Sequence, residues 1–485
     1  MSDRAGSRTA PAIGVPPSYT RLPNGFGVAL DSRVRRGDGG RILLGSSPIR
    51  LLKLSATAVR LLSRGPVLRV GDDTTATLAR RLLDTGVGQP RPRPSTGPPD
   101  VTVVIPVRDR PAALDRLLVA VRRTAGDVPV VVVDDGSRDA GAVRRLCGRH
   151  SATLIRHDLA RGPAAARNAG LGAATTERVA FLDSDSEPLA RWLDLLNQHL
   201  DDPMVAAAAP RIIASPASSS GAPGWLGAYE TAVSSLDLGA REGQVRPHSG
   251  IPYVPGVALL VRRSAVGAGF DESMRVAEDV DLVWRLAEAG WRVRYEPAAL
   301  VAHEHPRTVL AWARRRAFYG TGAALLADRH GPAVAPIVLS PWSAAAWLFL
   351  LAGRRGALGS AAVLVWASAR LGGRLTGVGA RWPLAARLVT LGSVSAGRQL
   401  ASALLRHFWP ASAVLAASSR RARRWLAWIA AVDAVFSWWP HRREIPMAGF
   451  ALFRRLDDLC YGAGLWCGML RARSFRALRP KIGST

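Results

Sequence analysis

Short apolar runs and helix-length amphipathic segments alternate through the middle of the chain. VTVVI (101–105), VVVV (130–133), ATLI (152–155) and VAFL (179–182) read as strands buried on both faces, with helical patterns over 112–124, 140–149, 163–174 and 189–200. That alternation predicts right-handed βαβ units in an α/β fold, with a mainly parallel sheet covered on both sides. Ligands of such sheets collect at the carboxyl ends of the strands. A helix–strand–strand pattern over 277–303 then extends the unit beyond what nucleotide recognition requires.

The flanks have different patterns. Residues 22–87 predict a small module, with strands over 27–34 and 41–44 and helices over 57–62 and 75–83, a hairpin followed by helices. QPRPRPSTGPPD (89–100) predicts an extended linker, because its prolines forbid helix. The final third begins with 23 residues free of formal charge (331–353), a length sufficient to cross the hydrocarbon core of about 30 Å as a helix. Pro336 and Pro341 interrupt it, the run at 356–369 is shorter, and WLAWIAAVDAVFSWWP (425–440) contains Asp433. Spanning helices, helices lying in an interface and a buried helical subdomain all fit this pattern. The resulting division is 1–95, 96–330 and 331–485.

Composition narrows the class. With 485 residues, 48% of them hydrophobic and 21% charged, the chain cannot be largely disordered. Cys147, Cys460 and Cys467 have no metal spacing and do not form a disulfide framework. The net charge of +28 invites a nucleic-acid partner, but its distribution argues otherwise. After residue 330 lie 21 of the 65 basic residues, four of the 37 acidic ones and ten of the 15 tryptophans. Arg354, Arg355, Arg420, Arg421, Arg423 and Arg424 flank the apolar runs, as expected of a surface facing anionic headgroups. No apolar export signal opens the chain, so the expected location is the cytoplasmic face of the cell membrane, with no nucleic-acid partner.

Candidate chemistry falls just after the predicted strands. IPVRDR (105–110) closes the first strand with Asp109, and VVVVDDGS (130–137) the second with Asp134 and Asp135, which suit either a turn cap or the hydrogen bonding of a nucleobase and ribose. RGPAAARNAG (161–170) opens a helix whose N–H groups, with Arg161 and Arg167, suit diphosphate oxygens, although an ordinary helix start would also account for it. In FLDSDSEP (181–188), Asp183 and Asp185 alternate at a strand exit, a pattern for a divalent cation or for a solvated acidic loop. Glu278, Asp279 and Asp281 start a helix, where carboxylates favour the dipole and where one can also act as a base. HEHP (303–306) adds His303 and His305 after a strand, and a neutral imidazole there can complete a metal shell.

Taken in order, these elements resemble the family 2 glycosyltransferases over residues 101–330. The resemblance implies the GT-A fold (Rossmann-like, mainly parallel sheet), an inverting displacement and a nucleotide-sugar donor. Asp109, Asp134, Asp135, Arg167 and Asp183 then correspond to donor contacts. Asp183, Asp185 and His303 correspond to ligands of Mg2+ or Mn2+. Asp279, with Glu278 beside it, corresponds to the catalytic base. The Gln-x-x-Arg-Trp element of processive synthases is missing, and WARRRAFYG (312–320) stands in its place.

Over its whole length the chain resembles the mycofactocin-system glycosyltransferases. RLPNGFGVALDSRVRRGDGGRILLGSSP and the helices after it are similar to small winged-helix-like α+β peptide-binding domains. This resemblance implies UDP-glucose as donor and a peptide-derived redox cofactor precursor as acceptor. The apolar, basic, helical tail also suits a membrane-associated enzyme acting on a polyprenyl lipid or cell-envelope glycan.

Overall fold

The computed structural model describes residues 10–18, 20–46, 49–93, 97, 99–215 and 224–483. The N-terminal module contains β1 (Gly27–Leu30), β2 (Arg35–Gly37), β3 (Ile42–Ser46), β4 (Ile49–Lys53), α1 (Ala56–Ser63), β5 (Val67–Arg69), α2 (Asp73–Asp84) and β6 (Gly88–Arg91). These form two three-stranded antiparallel sheets, β5-β1-β6 and β2-β3-β4, rather than one hairpin followed by helices. Leu22, Phe26, Val28, Leu43, Leu52, Leu82 and Val87 share a core of their own. Asp72 caps α2 by accepting from Thr75 N–H at 2.7 Å. The linker expected from residue 89 is shorter, because Gln89, Pro90 and Arg91 belong to β6, an edge strand where the missing proline N–H is tolerated.

The central domain runs β7 (Val101–Val107), α3 (Pro111–Ala125), β8 (Val130–Asp135), α4 (Ala140–Arg149), β9 (Thr153–His157), α5 (Pro163–Ala173), β10 (Arg178–Leu182), β11 (Ser186–Pro188), α6 (Trp192–Asn197), β12 (Val205–Ala214), α7 (Trp225–Val233), β13 (Gly243–Gln244), β14 (Ala258–Arg262), α8 (Arg263–Val266), α9 (Glu278–Glu288) and β15 (Arg292–His303). The main sheet has the order β11-β15-β12-β14-β10-β7-β8-β9. It is mixed, not mainly parallel: β7, β8, β9 and β10 pair in parallel, whereas β14 lies antiparallel between β10 and β12. A strand buried on both faces looks the same to its neighbours in either direction, so apolar runs do not encode this. The helix–strand–strand expected over 277–303 is one helix and a single long strand, β15.

Two antiparallel pairings in a row restore direction. β15 runs parallel to β12, and both end at the same edge as β10, β7 and β8. One edge of the sheet therefore receives the exits of β7, β8, β10 and β15, together with the loop entering β14.

The C-terminal region contains α10 (Val309–His330), β16 (Val338–Leu339), α11 (Pro341–Leu351), α12 (Arg354–Arg374), α13 (Arg381–Ser402), α14 (Trp409–Ser418), α15 (Arg420–Trp438), α16 (Met447–Ala472) and β17 (Lys481–Ile482). The uncharged run 331–353 is not a spanning helix. It passes through a short turn, the two-residue β16 and then α11, whose 11 residues rise only about 16 Å. Pro341 occupies the first turn of α11, where its lost N–H is harmless, and the prolines before it keep the preceding chain out of the helix. Among the described residues no helix is long and apolar enough to cross a membrane. Asp433 is buried on α15 and paired with Arg454 and Arg455 of α16, which explains a carboxylate inside an apolar run.

Candidate active site

The shared sheet edge gathers the acidic residues, and Arg167 on α5 joins two of their groups. Its buried guanidinium donates from Nη1 to Glu278 Oε1 and from Nη2 to Asp183 Oδ1, both at 2.7 Å, and lies 5.3 Å from the Phe270 ring centre. The neighbouring Asn168 hydrogen-bonds both the N–H and the C=O of Phe270 at 2.8 Å. The Arg-Asn pair thus divides its work: one side chain faces the acids and the other fixes the loop that backs them. Burial disfavours the charged form of Arg167, but Asp183, Glu278 and Asp279 outweigh it and hold the proton on.

Asp279 stands in the first turn of α9. Its Oδ2 accepts from Gly256 N–H at 2.6 Å, and its Oδ1 from Val280 N–H at 2.8 Å. Any Cβ at residue 256 would sit 2.9 Å from the Asp279 Cβ, so only glycine lets the loop entering β14 approach this closely. Burial, reinforced by the charge of Glu278, pushes the Asp279 carboxyl up to about 6 against those two N–H groups. A carboxylate in that range is well matched to accepting a proton near neutral pH.

Asp185 is paired with Arg110, and its Oδ1 lies 3.4 Å from His303 Nε2. Burial works against its ionised form, but His303 and Arg110 prevail and hold the carboxyl below its ordinary value. Asp183 shifts the other way, because burial and the charge of Asp185 exceed the help it receives from Arg167. Two carboxylates of one strand exit therefore differ in affinity for protons. The Nδ1 of His303 is buried and has no hydrogen-bond partner among the described residues. Among the described residues no group of three or more His, Cys, Asp or Glu surrounds one ion position. Of the three expected metal ligands, Asp185 and His303 come together, and Asp183 turns to Arg167. An Asp–His pair still fits Mg2+ or Mn2+, hard cations that complete their shells with water and substrate phosphates.

The nucleoside candidates lie on the neighbouring loops. Asp109, exposed and at φ 55°, accepts from Arg138 N–H at 2.8 Å and gives its own N–H to Ser137 Oγ. Asp135 accepts from Arg161 N–H and Gly162 N–H at 2.9 and 2.8 Å, with His157 Nδ1 at 2.8 Å. Burial opposes its charge, yet these partners hold the carboxyl below the usual value. Asp134 is completely buried, with one oxygen on Ser137 N–H and the other on Arg156, so its contacts hold the turn. Asp281 and His305 face elsewhere: Asp281 pairs with Arg285, Arg329 and His330, and His305 lies 3.4 Å from Glu230.

A family model described as "Glycosyl transferase family 2" matches residues 102–270. The pre-mycofactocin glycosyltransferase of Mycobacterium tuberculosis is 44% identical over 475 residues, which cover 96% of this chain and 99% of that one. The chain is a family 2 glycosyltransferase. More distantly, an N-acetylglucosaminyltransferase of Rhizobium meliloti is 24% identical over 54% of this chain and 65% of its own. A solved mannosyltransferase from Pyrobaculum calidifontis, in complex with GDP-Man and Mn2+, overlays with a TM-score of 0.38 at 24% identity, covering 72% of this chain and 90% of that one.

In this glycosyltransferase the sheet edge also holds residues to which no motif reading had given a role. Arg110, within the IPVRDR run, pairs with Asp185. Gly256 supplies the N–H that holds Asp279, and a glycine before an apolar run was its sole sequence signal. Tyr319 on α10, in the segment that replaces Gln-x-x-Arg-Trp, has its phenol raised by burial, with Arg315 opposing and the charges of Asp279 and Asp183 adding.

Proposed function

We propose that this glycosyltransferase moves glucose from UDP-glucose to a hydroxyl of a peptide-derived redox cofactor precursor, with inversion at the anomeric carbon. The carrying observation is Asp279, a carboxyl at about 6 fixed by two backbone N–H groups beside the Arg167 cluster. Asp279 takes the acceptor proton as the acceptor oxygen bonds to the anomeric carbon and the nucleoside diphosphate departs. Glu278 holds Arg167 in place, and Arg167 faces the charge that develops on the donor side. Asp185 and His303, with the second oxygen of Asp183, would hold a divalent cation that offsets the diphosphate charge. Asp109 and Asp135 lie where a nucleoside would bind, and the turn held by Asp134 supports both. No protein nucleophile is assigned opposite Asp279, which is why inversion is expected.

The acceptor reading rests on 44% identity over nearly the full length to a protein named for pre-mycofactocin. The N-terminal module would recognise the peptide from which the precursor derives. A second acceptor class is favoured by the exposed Trp425 and Trp428 beside Arg420, Arg421 and Arg424 on α15, a face suited to lying on anionic headgroups at the cytoplasmic side of a membrane. Incubation of the purified enzyme with UDP-[14C]glucose separates the two. Label in the peptide-derived precursor is the expected result, and label found only in polyprenyl phosphate would overturn the acceptor assignment.

A further inference from the structure

The sheet carries a second polar concavity at its other end. Between the N-terminal module and the central domain lies a cavity of about 370 Å3, lined by Arg33, Arg241, Arg246 and Arg294 and by the two acids Asp84 and Glu242. Arg294 and His303 pair with Ala208 and Ala214 of β12, six residues apart, because β15 bulges between them, so the cavity is about 20 Å from the carboxylate cluster.

Its charges do not balance. Asp84 is taken by Arg292, Glu242 by Arg91 at 2.8 Å, and Arg33 by Asp31 at 2.9 Å. Arg241, Arg246 and Arg294 have no carboxylate partner among the described residues. Arg294 is only 6% exposed, donates from Nη2 to Gln89 at 2.6 Å, and has a buried Nε with no hydrogen-bond partner among the described residues. Burial pulls its guanidinium down to about 10, outweighing the opposing charges of Glu242, Glu296 and Asp202. Burial also lowers Arg246, helped by the repulsion of Arg50 and Arg292 and opposed by the charge of Asp84. A buried cation without an ion-pair partner is costly, and here the buried Arg294 and the half-buried Arg246 line one cavity.

We infer that this cavity binds an oxyanion of a small ligand, a carboxylate or phosphoryl group held between Arg294 and Arg246. The guanidinium fork matches either oxyanion in bidentate geometry. The volume falls within the range of small-molecule sites. The ligand is separate from the sugar donor, since the site shares no residue with the carboxylate cluster and lies at the opposite end of β15.

Calorimetric titration and thermal melts of the full chain in EDTA, with inorganic phosphate or succinate at ionic strength matched by chloride, test this. Wild type should show saturable binding and a rise in Tm with at least one of the two, and the effective one names the anion class. Arg246→Met should weaken binding by about tenfold or more, as expected for loss of a charge-assisted contact. Arg294→Met should lose the response while raising the Tm of the ligand-free protein, because it removes an uncompensated buried charge. Asp185→Asn, which alters the donor end alone, should respond as wild type does. No saturable response above chloride, or an equal response in Arg246→Met, would overturn the assignment.

Discussion

Asp279 and Gly256 show how a buried carboxyl is held by a backbone N–H from a distant loop. Burial and Glu278 raise the carboxyl to about 6, so its ionised form is lost as pH falls through that value. For a base this predicts kcat/KM rising with unit slope below about pH 6 and level above it, checked by initial rates across pH 5–8. The stability linkage has the opposite sign. The folded state binds this proton more tightly than the unfolded chain, so the contribution of Asp279 falls as pH rises from about 4 to 6. Gly256→Ala should push Asp279 off its N–H partner and cut transfer by about tenfold or more, a loss of roughly one charge-assisted hydrogen bond, measured as kcat with KM for donor little changed. Asp183 and Asp185 stand out in the sequence as acids after an apolar strand, and Asp279 as an acid at a helix start, both local patterns. Arg110 and Gly256 do not, because their roles depend on partners 75 and 23 residues away.

Elements were legible where burial has a period and illegible where pairing is a matter of direction. β7, β8 and β10 lie where the apolar runs predict them, yet nothing in ALLVR says that β14 runs antiparallel between β10 and β12. Likewise the uncharged run 331–353 has the length of a spanning helix but not the continuity, because its prolines leave only the 11 residues of α11. The closeness of α10 to α16 is invisible in hydropathy, since it depends on glycines. A Cβ on Gly464 would lie 1.8 Å from Ala317 O, and one on Gly468 2.5 Å from Thr321 O. The two helices therefore touch backbone to backbone. Gly464→Ala should separate them and cost about 1–3 kcal/mol, read from the denaturation midpoint.

At the scale of the molecule, the N-terminal module is bound to the central domain by ion pairs rather than by a shared apolar core. Arg80 donates to both oxygens of Asp202 at 2.8 Å, and both side chains are largely buried. Arg80→Ala leaves that carboxylate with Arg292 as its remaining cation and should weaken docking by up to about 3 kcal/mol. Hydrogen exchange should then rise in α2 and at the start of β12 while β7 and β8 stay protected. This interface brings together residues 122 apart in sequence, which is why no local pattern in the sequence shows the docking.

The most direct measurement pairs donor binding with single-turnover transfer in wild type and Asp279→Asn. A base at Asp279 predicts donor affinity within about twofold of wild type and transfer reduced by at least about a hundredfold. Parallel loss of both, or transfer undiminished in the variant, would contradict it.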